Sequence, residues 1–164
     1  IRPQWVPYLI RDYVRNAQYL GLPIGPLNPD PVVMDMMTRE ISPEQPYIGR
    51  LTRLGILACE KGDEEGWAFM DEISTLIWSG GAWTEGTALS EAAARAGFDL
   101  EVLDARQEAE MDRLEAVIAA NQAEQDPHHW GVPLMVFEGE AFFGQDRIDL
   151  LEWRLGESGV ARKD

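Results

Sequence analysis

The chain has one cysteine, Cys59, among 164 residues, so it holds neither an internal disulfide nor a Cys-x-x-Cys pair and cannot by itself exchange a dithiol for a disulfide. Basic residues are also scarce: 14 Lys and Arg stand against 29 Asp and Glu, giving a formal charge of −15. Binding a phosphate backbone needs clustered Lys and Arg to release counterions, so no nucleic acid partner is expected, and anionic membrane surfaces are disfavoured on the same ground. No uninterrupted apolar run approaches the ~20 residues that span a bilayer, and no membrane association is expected. The two histidines are adjacent. His128 and His129 lack the i, i+3 or i, i+4 spacing that sets two ligands on one helix face, so no metal site is expected; at most they shape a neighbouring pocket.

What is present is apolar content, 45% of the residues, enough for one globular domain, or a domain with an inserted subdomain, and a sizeable core. The pattern is mostly helical. Tyr8 to Leu20 places Tyr8, Leu9, Tyr13, Val14, Ala17 and Leu20 on one face, and Gly21-Leu22-Pro23 ends it. A loop rich in Pro and Gly follows. Ser42-Pro43-Glu44-Gln45 offers a cap, a first-turn proline and a capping-box Gln, predicting a helix from there towards Glu60. That helix carries Cys59 in an apolar stretch, where a buried structural thiol is expected. Asp63 starts the next helix, which ends at Gly80-Gly81. A short one lies between Thr87 or Ser90 and Ala96, Asp99 caps Leu100 to Leu103, and residues 105–124 form a long acidic helix with Met111, Leu114, Val117, Ile118 and Ala120 along one stripe.

The most informative stretch is 130–147. Val132 to Phe137 is apolar and uncharged, predicting a strand covered on both faces. Glu138-Gly139 makes a tight reversal, and Ala141 to Phe143 return as a second strand. Gly144-Gln145-Asp146 then breaks the β pattern, with Asp146 as cap of a helix carrying Ile148, Leu150, Leu151, Trp153 and Leu155. The unit is β-β-α. Pro133 fits only at the first position of its strand or in a special turn such as a cis bond.

These residues resemble the C-terminal half of a thioredoxin-like fold, in the DsbA-like branch that contains 2-hydroxychromene-2-carboxylate isomerases and kappa-class glutathione transferases. Tyr8, Asp12 and Gly21-Leu22-Pro23 resemble that family's Tyr-x-x-x-Asp stretch and Gly-Leu-Pro. Leu76-Ile77-Trp78, Thr84-Glu85 and Ala92-Ala93-Ala94-Arg95-Ala96-Gly97 are similar to its inserted helical domain. The resemblance implies an α/β, thioredoxin-like fold with a large helical insert over 1–125 and the C-terminal β-β-α half over 126–164. It also implies that the first β-α-β unit precedes Ile1, together with any signal peptide, the alternative being a partner chain that completes the sheet; the expected compartment is the cytoplasm.

Function follows the resemblance. The implied cofactor is glutathione, with Val132 and Pro133 pairing its cysteinyl part and Gln145 and Asp146 meeting its γ-glutamyl end. Backbone N–H groups suit that carboxylate, and the Asp side chain suits the ammonium. Trp78 and Trp83, flanking Gly80-Gly81, read as core aromatics first and as contacts to a small-molecule substrate second, and Asn28 as a turn residue first and a substrate contact second. The implied activity is a glutathione-dependent isomerase acting on aromatic or hydrophobic carboxylates, as a homodimer. The alternatives are a DsbA-like thiol–disulfide oxidoreductase, a glutathione transferase and a non-catalytic thioredoxin-like binding module. The family's activating Ser, or a Cys pair, belongs to the first β-α-β unit, so the catalytic residue is unassigned. Ser42, Ser74, Ser79, Ser90 and Ser158 do not fit that role. Trp5 stands where kappa-class relatives carry a glutathione-binding lysine, leaving Arg2 or Arg11 to supply that charge.

Overall fold

The computed structural model describes residues 3–35, 38 and 40–161. Its elements run α1 (Trp5–Leu20), α2 (Ile48–Cys59), α3 (Asp63–Trp78), α4 (Ala88–Arg95), α5 (Leu100–Ala109), α6 (Met111–Gln125), β1 (Leu134–Phe137), β2 (Glu140–Phe143), a 3-10 turn (Gln145–Arg147) and α7 (Ile148–Glu157). Among the described residues, no helix is long and apolar enough to cross a membrane. The chain divides into two compact units, Ile1–Met111 and Asp112–Asp164.

In the first unit, α2 packs on α3 and α5, α3 on α4, and α4 on α5. Their buried faces supply Leu54, Leu57 and Ala58 from α2, Phe69, Ile73 and Ile77 from α3, Leu89, Ala92 and Ala93 from α4, and Leu103 from α5. α1 ends as expected: Gly21 takes φ 68°, and its N–H donates to the Ala17 and Gln18 carbonyls. Its apolar stripe is only partly used, with Ala17 buried and Tyr8, Leu9, Tyr13, Val14 and Leu20 exposed. Tyr13 meets Trp78 edge to face at 5.3 Å, and burial pushes its phenol pKa up.

Three expectations for this unit are corrected. α2 starts at Ile48, not at Ser42. Gln45 is drawn away from the helix: its Oε1 accepts from the Val33 N–H at 2.9 Å while its Nε2 donates to the Val33 and Ser42 carbonyls at 2.7 and 2.9 Å. Pro46 follows, and a residue before proline is pushed out of the helical region, so the helix begins beyond it. The acidic helix expected over 105–124 is broken: α5 runs straight from its Asp99 cap, through residue 105, to Ala109, and Glu110 (φ −108°, ψ 17°) separates it from α6. Cys59 is exposed rather than buried, because it closes α2 at the helix end, outside the packed stripe of Leu54 and Leu57.

In the second unit, β1 and β2 pair antiparallel with Leu134 opposite Phe143, Met135 opposite Phe142, Val136 opposite Ala141 and Phe137 opposite Glu140. Glu138 (φ 50°) and Gly139 (φ 81°) form the reversal, both left-handed, as a two-residue turn of the primed type requires. Coverage of both faces of β1 is not seen: its residues are half-buried or exposed, and Phe142 on β2 is the buried member of the pair, at 3%. A two-stranded sheet has one neighbour per strand and covers little of its own surface. Arg154 on α7 pairs with Glu140 on β2 at 2.7 Å, fastening the helix to the hairpin.

Candidate functional site

Pro133 sits immediately before β1, and the Val132–Pro133 peptide is cis, as is Asn28–Pro29. Gly144 N–H donates to the Pro133 carbonyl at 3.0 Å. This bond extends the hairpin ladder one step and brings the 3-10 turn beside the Val132–Pro133 bond, so two segments that are separate in sequence become one site. Val132 is 76% exposed, and neither its N–H nor its C=O is hydrogen-bonded among the described residues. The backbone N–H groups of Gln145 and Asp146 are likewise unbonded among those residues. The turn is closed by the Arg147 N–H, which donates to the Gly144 carbonyl at 3.1 Å. The site therefore offers one donor and one acceptor at Val132 and two donors at the turn, an arrangement suited to an extended peptide ending in a carboxylate.

Asp146 does not cap a helix. Its Oδ2 pairs with Arg147 at 2.9 Å, and no side chain caps either the 3-10 turn or α7. The expectation of a helix-capping Asp146 is corrected: the 3-10 turn delays α7 to Ile148, so Arg147 takes the capping position and Asp146 lies one residue before it. Its carboxylate is solvent-facing and carries the negative charge of the site.

An aromatic cluster borders Val132. The His129 ring lies on Phe143 with centroids 3.9 Å apart and planes at 20°, and Trp130 stacks on His129 at 5.3 Å and 24°. His129 Nδ1 accepts from the Gly131 N–H at 2.9 Å, which fixes the imidazole over the strand. Gly131 is required by contact: a Cβ there would lie 2.5 Å from Phe143 Cε2. The stack was not legible in the sequence, because it depends on Phe143 returning along β2.

The expected substrate contacts do not gather there. Trp83 is 1% exposed, donates its indole N–H to the Pro29 carbonyl at 2.8 Å, and meets Tyr47 edge to face at 5.4 Å. It is an anchor for the loop that holds Asn28, whose own side chain makes no hydrogen bond among the described residues. Trp83 also lines an open cleft of about 1070 Å³ among α2, α4 and α5, with Tyr47, Arg50, Thr87, Phe98 and Asp104; Trp78, 42% exposed, does not. The polar groups of that cleft satisfy one another. Arg50 holds Asp104 through two bonds at 2.7 and 2.6 Å, which raises the guanidinium pKa further, and Thr87 bonds Glu91 at 2.6 Å. On α1, Trp5 is half-exposed, and Arg11 donates weakly to the Pro7 carbonyl at 3.4 Å; Arg2 lies outside the described residues.

The family model described as the DSBA-like thioredoxin domain matches residues 50–156, from α2 through the hairpin and most of α7. No curated protein and no solved structure matches the chain.

Proposed function

The chain belongs to the DSBA-like thioredoxin domain family, and from that premise we propose that it is a glutathione-dependent isomerase of the 2-hydroxychromene-2-carboxylate isomerase type, acting on an aromatic or otherwise hydrophobic carboxylate. The Val132 N–H and C=O pair with the cysteinyl part of glutathione. The N–H groups of Gln145 and Asp146 take its γ-glutamyl carboxylate, and the Asp146 side chain takes its ammonium. The glutathione thiolate adds to the substrate, the ring opens or a bond rotates, and the thiol is released unchanged. The protein's part is to favour the thiolate and to hold both partners in reacting geometry. No residue of this chain is assigned to activate the thiol.

The observation that supports this reading is the Gly144 to Pro133 bond, which sets the unbonded backbone of Val132 beside the unbonded donors of the turn. Family membership alone is equally compatible with the oxidoreductase. The test is a calorimetric titration of reduced glutathione into the protein, followed by a trial of 2-hydroxychromene-2-carboxylate with and without glutathione. Saturable binding with glutathione-dependent isomerisation is expected. Absence of binding overturns the reading, and net oxidation of a dithiol peptide would replace it with the oxidoreductase.

A further inference from the structure

We propose that Trp130 determines specificity at the hairpin site, its indole taking a planar aromatic group carried on the sulfur of the bound thiol; this rests on the glutathione reading above. Trp130 is 86% exposed, although tryptophan is the side chain with most apolar area to gain from burial. It is nonetheless held, as the outer ring of a stack whose inner members are His129 and Phe143. Its ring also tilts towards Phe143 at 6.3 Å and 40°. The stack is anchored at three points: Phe143 by its register opposite Leu134, His129 by the Gly131 N–H, and the chain by the absence of room for a Cβ at Gly131. A π-face fixed before the ligand arrives loses little freedom on binding.

The position fits the task. One residue, Gly131, separates Trp130 from Val132, so their Cα atoms lie within about 7.6 Å, and a ring-sized substituent on a cysteinyl sulfur paired at Val132 spans that distance. Offset stacking is the favoured geometry for such rings and discriminates planar groups from branched aliphatic ones.

The test compares S-methylglutathione with S-benzylglutathione by calorimetry on the full chain. The benzyl compound is expected to bind more tightly by roughly 3- to 10-fold, the range of a single aromatic contact. Trp130→Ala is expected to bring the benzyl affinity down to the methyl level, and Trp130→Phe to keep most of the preference. Equal affinities in the unsubstituted protein, or a preference that survives in Trp130→Ala, overturn the inference while leaving glutathione binding standing. If neither compound nor glutathione itself binds, the glutathione reading falls and this inference with it.

Discussion

Asp146 bonds its neighbour Arg147 instead of the helix that follows, and this separates two roles that the sequence left combined. A working helix cap contributes about 1 kcal/mol to stability, whereas an exposed ion pair with the next residue stands at the low end of about 0–1 kcal/mol. Asp146→Ala is therefore expected to leave the thermal midpoint nearly unchanged while weakening glutathione binding by about 1–3 kcal/mol, the cost of a lost charged hydrogen bond. Melting and calorimetry on the same variant check both halves, and a lowered midpoint with unchanged affinity would make Asp146 a cap after all. At this scale the sequence was readable at Pro133, which stands just before β1 with a cis peptide. For Trp83 the core reading was legible and its partner was not: its indole N–H donates to the Pro29 carbonyl, 54 positions away.

Among the elements, the hairpin shows the same division. Gly139 advertised a tight turn, but a primed turn needs positive φ at both central residues, and the first is Glu138 at 50°. A left-handed conformation costs a residue with a Cβ roughly 1–2 kcal/mol, so Glu138→Gly is expected to stabilise the protein by about 0.5–1 kcal/mol after the entropy glycine loses on folding. Denaturant titration reads this directly, and destabilisation would mean that the turn differs from the one described. The helices were legible from their caps and periods at Gly21, Asp63, Asp99 and Gly97. They failed where a side chain was recruited from afar, as Gln45 is by Val33, or where two helices meet end to end, as at Glu110. Arg50 and Asp104 lie 54 positions apart, a pairing no local pattern announces. Because their bond is bidentate, partly buried and ties α2 to α5, it should exceed an ordinary surface pair. A double-mutant cycle with Arg50→Gln and Asp104→Asn is expected to return a coupling of about 1–2 kcal/mol, and a value near zero would place the pair among the ineffective ones.

For the molecule as a whole, the decisive quantity is charge. The DSBA-like family was legible from markers within the matched residues, Gly-Val-Pro and Phe-x-Gly-Gln-Asp-Arg, whereas a substrate was not, since it depends on which apolar side chains face a ligand. A charge of −15 opposes the compact state by self-repulsion, while the ion pairs, such as Arg95–Glu72 and Arg106–Glu60, are largely exposed. Pairs of that kind contribute about 0–1 kcal/mol each, and salt weakens them. Salt also screens the repulsion, and the excess of acidic residues means that repulsive pairs outnumber attractive ones beyond contact distance. Raising ionic strength from 0.01 to 0.15 M shortens the screening length from about 30 to about 8 Å, enough to remove most of the long-range repulsion while short contacts survive. The thermal midpoint is thus expected to rise by about 2–4 °C, corresponding to ~1 kcal/mol in a chain of this size. A midpoint that falls with salt would instead show that specific pairs such as Arg50–Asp104 outweigh the net charge in holding the fold.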